Sequence, residues 1–194
     1  MSNQERSKFS SEEYRYLDIE FSFTKQVCEV AVLNSDGHSL LHDYGRQEFP
    51  LSESADPRDK MLLTKFSDEL LSCGSTREQL ASKLRHIFEN KRVVVWNLQW
   101  ELKFMPEAFS TAKTVHCAMN ASTPFIGRFV QKHGDHCWIK LWDAIDYLGL
   151  NVPGERHRAV TDSLATLKMW EWSVGVTGNI IDDFKGRTPE LLGV

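Results

Sequence analysis

Hydrophobic and polar positions alternate along the first part of the chain. Residues 14–23 alternate with a period of two and are rich in aromatic side chains, which predicts a strand. Residues 27–33 predict a second strand, and the turn signal ending at Gly37 leads to a third over residues 38–44. Two hairpin-like connections in succession favour an antiparallel opening of three strands.

The pattern then changes to one that is typical of helices. Residues 46–60 are polar and contain two prolines, so they predict a loop, and a helix is expected from about Asp59 to Leu71, ending near Gly74. Thr76 and Gln79 form a capping-box pattern at the start of the next helix. The apolar face of that helix comprises Leu80, Leu84, Ile87 and Phe88.

The second half of the chain alternates short apolar runs with helical patterns. Residues 92–96 are continuously apolar, as in a buried parallel strand, and Asn97 is a candidate N-cap for the helix that follows. Four further elements and a tail are expected: a strand at 113–117, a helix from there to about Lys132, a helix at 140–148, a helix at 158–172 after the break at Pro153 and Gly154, and a tail at 174–194. This order predicts an α/β fold with a mixed sheet, in a single domain spanning residues 1–194.

Composition and charge narrow the function classes. The 194 residues are 41% hydrophobic and 26% charged, with a formal net charge of −4, which excludes disordered chains and polybasic nucleic-acid binders. Four dispersed cysteines indicate reduced thiols. The N-terminus has no signal-peptide pattern and no apolar run is long enough to cross a membrane, so we expect a cytoplasmic protein that does not bind membranes.

Two acidic residues lie on one face of the first predicted strand. Asp18 and Glu20 are two positions apart, so their carboxylates are neighbours and repel each other. A hard divalent cation such as Mg²⁺ or Mn²⁺ would relieve this repulsion, whereas a solvated strand face would need no ligand.

Two further places carry candidate chemistry. Glu101 lies in the first turn of the helix after Asn97, where an acidic residue also stabilises the helix dipole. His157 and Asp162 are five apart, so His157 is placed in the loop after Gly154 and Asp162 inside the helix. A histidine beside a metal-bound water can act as a general base, although a surface histidine and an exposed aspartate would fit the same spacing.

Together these places resemble the DEDDh group of 3′–5′ exonucleases, which includes bacterial proofreading subunits and exonuclease X. Leu17-Asp18-Ile19-Glu20 is similar to the first motif of the family, the stretch 93–105 to the second, and His157 with Asp162 to the third. The resemblance covers roughly residues 14–173. It implies a ribonuclease-H-like fold and hydrolysis of phosphodiesters from a 3′ end.

The resemblance also implies roles for individual residues. Two divalent cations, Mg²⁺ or Mn²⁺, would be held by the four carboxylates and would stabilise the attacking and leaving oxygens, while His157 would take the proton from water. The carboxylates are Asp18, Glu20, Glu101 and Asp162. The candidate substrate-binding residues are Phe21, Ser22, Trp96, Asn97 and Trp100.

The chain departs from the family pattern at three places. Glu101 stands where the family has aspartate, Trp96 replaces a histidine, and Phe21-Ser22 occupies a position where the family often has threonine and glycine. These exchanges lie at the metal site and at the pocket for the 3′ end. They motivate an alternative: an exonuclease fold that binds nucleic acid or a protein without catalysis.

The expected substrate is an unpaired 3′ end of DNA or RNA, and the resemblance favours DNA. The product would be nucleoside 5′-monophosphates, and the protein would be a monomer or a homodimer. A zinc site is a less favoured hypothesis because the spacing matches no zinc-binding pattern. Its residues would be His116, Cys117, His133, His136 and Cys137.

Overall fold

The centre of the fold is a five-stranded mixed sheet. The computed structural model describes residues 13–132 and 134–177. The strands are β1 Tyr14–Phe21, β2 Val27–Leu33, β3 Ser39–Tyr44, β4 Arg92–Val95 and β5 Thr114–Cys117, in the order β3-β2-β1-β4-β5. The first three pair antiparallel, and β4 runs parallel to both β1 and β5. The predicted mixed sheet is confirmed.

Helices cover both faces of this sheet. They are α1 Pro57–Met61, α2 Asp68–Ser72, α3 Arg77–Phe88, α4 Leu98–Phe104, α5 Ala118–Ile126, α6 Leu141–Leu148 and α7 Ala159–Thr177, with 3-10 turns at Leu51–Glu53, Leu62–Thr64 and Pro106–Phe109. The predicted apolar face of α3 packs against Leu17 and Ile19 of β1, and the predicted capping box of Thr76 and Gln79 is present. Tyr14 and Tyr16 point to the opposite face, where α7 lies. Asp18 and Glu20 share the parity of these tyrosines, so they lie on the face that α7 covers.

The predicted helix from Asp59 to Leu71 is wrong. The chain forms two short helices, α1 and α2, separated by a 3-10 turn. Phe66 is buried between them, and the Ser67 side chain accepts a hydrogen bond from the Leu70 amide to start a new helix. The helix therefore breaks where a buried side chain and a new cap compete with its continuation.

The predicted helix to about Lys132 is also wrong. Helix α5 ends at Ile126, and a hairpin follows with strands β6 Phe129–Val130 and β7 Asp135–His136. Gly127 adopts an extended conformation, and a Cβ there would lie 2.6 Å from the carbonyl oxygens of Thr123 and Cys137. The hairpin thus returns so closely that only glycine fits at the helix end.

The remaining expectations have mixed outcomes. The last helix runs from Ala159 to Thr177, so it is longer than predicted and includes residues 174–177 of the predicted tail. The rest of that tail, residues 178–194, lies outside the described residues. The four cysteines are free, as expected. Among the described residues, no helix is long and apolar enough to cross a membrane.

Candidate active site

Two parallel strands end at the edge of the sheet where the acidic residues meet. Leu17 of β1 pairs with Val95, the last residue of β4, so Asp18 and Glu20 lie beside the point where the chain leaves β4 for helix α4. Glu101 is in the first turn of α4 and is buried. Asn97 occupies the predicted N-cap position, but its side chain makes no capping hydrogen bond.

The start of α7 brings His157 and Asp162 to the same place. As predicted, His157 precedes the helix and Asp162 lies within it. Asp162 is buried rather than exposed, and its Oδ1 accepts hydrogen bonds from the Trp142 indole N–H (3.0 Å) and the His157 backbone N–H (3.1 Å). The His157 ring is exposed, with Nδ1 3.9 Å from Asp162 Oδ2.

A group of three side chains is close enough to share a cation. One ligand atom each from Glu20, His157 and Asp162 lies within 4.8 Å of the others. Within residues 13–132 and 134–177, this is the only group of three or more such side chains that could hold a metal ion. Asp18 and Glu101 line the same groove beside it. The carboxylate oxygens of this group are ligands of the kind that Mg²⁺ and Mn²⁺ prefer.

The groove at this site has a volume of about 1000 Å³ and is rich in aromatic residues. Trp96 and Asn97 line it from the β4–α4 connection, and Trp100 lines it from the first turn of α4. Trp96 is nearly buried, whereas Trp100 is 39% exposed. Trp138, which is 64% exposed, lines the groove from the segment before α6. The groove therefore offers exposed aromatic rings beside a cluster of carboxylates.

Phe21 and Ser22, which were predicted to bind substrate, do not line the groove. Phe21 packs against Phe104, with ring centroids 5.4 Å apart. Ser22 is 1% exposed, and its hydroxyl accepts a hydrogen bond from the Gln26 amide. Strand β1 ends at Phe21, which packs against α4, and the Ser22 hydroxyl stabilises the turn to β2.

Burial and like charge disfavour ionisation of the acidic residues. Burial, with the neighbouring carboxylates of Glu20, Asp162 and Glu101 adding to it, raises the pKa of Asp18 well above its usual range. Burial, with Asp162 adding to it, raises the pKa of Glu20 to about 7. Burial also raises the pKa of Glu101 to about 8. A bound cation would favour the ionised forms.

Glu101 contributes an unpaired oxygen to this group of carboxylates. Its Oε2 atom is buried and has no hydrogen-bond partner in the structure. An unpaired buried carboxylate oxygen is costly unless something compensates its charge. The donor set therefore fits a divalent cation.

Several residues at the site were missed by sequence reasoning. Trp142 and Trp138 come from the segment around α6, and Lys65 comes from the turn between α1 and α2. The stretch 141–144 resembles a family segment, which could have indicated Trp142. Lys65 has no sequence signal because only the tertiary fold brings it to the His157 loop.

The zinc hypothesis involves residues with other partners. His116 is buried, bonds to the Thr114 hydroxyl and packs on Trp170, while the Cys117 thiol donates to the Trp96 carbonyl. His133 lies outside the described residues. The close group found in the described part of the chain is the acidic one.

Comparisons by sequence give no match: neither a family model nor a curated protein resembles the chain closely enough to count. Comparison with solved structures gives clear matches. The chain is similar to S. pombe Pop2p in its Mg²⁺- and Mn²⁺-bound form, with a TM-score of 0.67 and 12% identity over 94% of this chain and 90% of that one.

Two other solved structures show the same likeness. A 3′-exonuclease that recognises the 3′ end of a histone mRNA stem-loop has a TM-score of 0.61 and 13% identity, over 90% of this chain and 84% of that one. E. coli Exonuclease I in complex with a dA16 oligonucleotide has a TM-score of 0.61 and 13% identity, over 88% of this chain and 42% of that one. The chain therefore has the ribonuclease-H-like fold of these exonucleases, which confirms the expected fold.

Proposed function

We propose that this chain is a metal-dependent 3′–5′ exonuclease that acts on unpaired 3′ ends and releases nucleoside 5′-monophosphates. The observation that carries the proposal is the meeting of three separate segments at one groove. Glu20, His157 and Asp162 lie within 4.8 Å of one another there, with Asp18 and Glu101 beside them. Three solved structures that share the fold are a metal-bound protein, an RNA 3′-exonuclease and an exonuclease bound to DNA.

The acidic residues would hold the cations. Asp18, Glu20, Glu101 and Asp162 would bind two ions of Mg²⁺ or Mn²⁺. When bound, such a pair of ions stabilises the attacking and leaving oxygens of an in-line displacement at phosphorus. Trp142 holds one oxygen of Asp162 through its indole N–H, which fixes the orientation of this ligand.

His157 would act as the general base. Its ring is exposed at the groove, where it can accept a proton from a water molecule, and it belongs to the same close group as the carboxylates. Imidazole is the side chain that most often serves as a general base.

The groove would bind an unpaired strand. Exposed Trp100 and Trp138 offer rings on which bases can stack, a mode that tolerates any sequence and requires unstacked bases. Trp96 and Asn97 would contact the terminal nucleotide. We retain DNA as the favoured substrate over RNA, and the experiment below compares the two.

The test is a time course on 5′-labelled single-stranded DNA and RNA of equal sequence, with Mg²⁺, Mn²⁺ or chelator. We expect a metal-dependent ladder that shortens from the 3′ end and is absent with Asp18→Ala. His157→Ala should lower the rate strongly while Mn²⁺ binding persists. Intact substrate in every lane, with folded wild-type protein, would contradict the proposal.

A second candidate function is binding without catalysis. It is favoured by Glu101, which is one methylene longer than the aspartate of the family motif and lies outside the close group of three. Binding of the oligonucleotide with no metal-dependent product would support this alternative. Glu101→Asp would then decide whether the longer side chain is the cause, because it would restore cleavage.

A further inference from the structure

The backbone at His157 has an unfavourable conformation. Its φ is 60°, in the left-handed region that residues with a Cβ rarely adopt. Such a conformation persists when surrounding contacts hold it. The contacts of the loop therefore indicate what keeps the imidazole at the groove.

The helix side of the loop is tied to strand β2 and to Asp162. The His157 N–H donates to Asp162, and the next amide but one, that of Ala159, donates to Glu29 Oε2 (2.9 Å). Arg158 forms two further bonds to the Glu29 carboxylate, at 3.0 and 2.8 Å, and Glu29 is 1% exposed. Residues 158 and 159 are thus fixed to the sheet.

On the opposite side of the loop, the Arg156 guanidinium pairs with Asp146, and the backbone is held by Lys65. Its ammonium donates to the carbonyl oxygens of Arg156 (3.3 Å) and His157 (3.2 Å). These are side-chain contacts between segments about ninety positions apart in sequence. The neighbouring Phe66 is 2% exposed and packs with Leu51 and Leu71, so the backbone that carries Lys65 is anchored.

We propose that Lys65 is a positioning residue, which holds the left-handed loop so that the His157 imidazole faces the acidic groove. The catalytic consequence rests on the proposed function, whereas the effect on the loop does not. Lys65 does not itself line the groove, but its ammonium contacts the backbone carbonyls of Arg156 and His157, which do line it. It therefore acts through the backbone of residues 156 and 157.

The first arm of the test measures the loop itself. Amide hydrogen exchange of residues 156–159 is compared in metal-free wild type, Lys65→Met, Lys65→Arg and the surface control Lys60→Met. We expect exchange in this segment to be roughly tenfold or more faster in Lys65→Met, since two hydrogen bonds from a charged donor are lost. Lys65→Arg should recover most of the protection, and Lys60→Met should match wild type.

The second arm measures cleavage with the same variants. We expect kcat to fall at least tenfold in Lys65→Met with KM within about threefold, because the general base is misplaced while the groove is intact. The thermal midpoint should remain near that of Lys60→Met. Lys65→Arg should restore most of kcat.

The outcomes separate this inference from the proposed function. If the wild-type protein cleaves no substrate, the proposed exonuclease function is contradicted. Amide hydrogen exchange still decides whether Lys65 holds the loop. Unchanged exchange in Lys65→Met overturns the inference, as does faster exchange spread over the whole chain. Faster exchange confined to 156–159 with an unaltered kcat in an active enzyme would also overturn the positioning role.

Discussion

At the scale of single residues, Glu101 is the most informative departure from the family motif. It is 4% exposed, its Oε2 has no partner and burial raises its pKa to about 8. We predict that Glu101→Gln lowers cleavage by roughly a hundredfold or more, because a neutral amide is a poor ligand for a divalent cation. Glu101→Asp should retain activity within about tenfold of wild type.

The measurement is the single-turnover rate at saturating Mn²⁺, with Mn²⁺ affinity measured in parallel. Glu107→Gln is the matched control, since Glu107 lies on the following 3-10 turn and pairs with Arg77 on the surface. If Glu101→Gln cleaves as fast as this control, Glu101 is no ligand.

Trp138 permits a separate test of how the strand is held. Its ring is 64% exposed and lines the groove, so it can stack on a base without prior rearrangement. A stacked base contributes about 1–3 kcal/mol, which predicts that Trp138→Ala weakens binding of a single-stranded oligonucleotide by about 5- to 150-fold. Fluorescence anisotropy measures this with Mn²⁺ present and with Asp18→Ala in every protein compared, so that the oligonucleotide is bound without being cleaved.

Tyr147→Ala is the control for that experiment. Tyr147 is 71% exposed but does not line the groove. Equal affinity of Trp138→Ala and Tyr147→Ala would show that Trp138 does not contact the strand.

The sequence alone predicted those site residues whose position is set by their neighbours along the chain. The alternation of β1 placed Asp18 and Glu20 on one face, and the break at Gly154 placed His157 in a loop before the helix of Asp162. Lys65 and Trp138 could not be found in this way. Their neighbours at the site lie many positions away in sequence, and only the packing of the sheet brings them together.

At the scale of elements, the five strands of the central sheet were easier to predict than the helix ends. A strand is specified by its own alternation and by its partner, whereas the ends of a helix depend on what packs against it. Gly127 ends α5 because the returning hairpin needs its space, and buried Phe66 interrupts the expected helix before α2. Neither fact is visible in local periodicity.

The loop before α7 makes a prediction at this scale. Gly154 has φ +116°, and a Cβ there would lie 2.4 Å from the hydroxyl oxygen of Thr161 on α7. We predict that Gly154→Ala lowers the free energy of unfolding by about 2–4 kcal/mol and lowers kcat at least tenfold, because the loop that carries His157 must move away from the helix. Urea unfolding and single-turnover kinetics measure the two effects.

Gly149→Ala is the matched control for this loop. Gly149 also has a positive φ, +63°, but a Cβ there meets no atom within 4 Å. We expect a cost of about 1 kcal/mol from the backbone alone and an unchanged kcat. Equal losses of kcat in the two variants would show that the Gly154–Thr161 contact does not position the loop.

At the scale of the whole molecule, the sheet gathers negative charge that the rest of the chain does not neutralise. The formal net charge is −4, and the carboxylates of three segments converge at one groove that a polyanion is proposed to enter. Bound divalent cations would reverse the local field and attract the phosphates. Without bound cations, the groove should repel the phosphates of the substrate. Its carboxylates should also resist ionisation.

This charge arrangement predicts how stability varies with pH. The pKa values of Glu20 and Glu101 are raised to about 7 and about 8, whereas both groups titrate near 4.5 when unperturbed. Between these values the folded protein holds protons that the unfolded chain has released. The stability that they contribute is therefore fully present below about pH 4.5 and is lost as the pH rises through 7 and 8.

Urea unfolding from pH 5 to pH 9 in chelator should show this loss, with a slope of at most about 1.4 kcal/mol per pH unit for each carboxylate. Glu101→Gln should flatten the upper part of the curve because its amide does not titrate. Saturating Mn²⁺ should reverse the trend, since the ion binds the deprotonated folded site and stabilises it more as protons leave. Metal-free stability that rises from pH 5 to pH 8 would mean that these carboxylates are ionised at no cost in the fold, and that the groove does not need a cation.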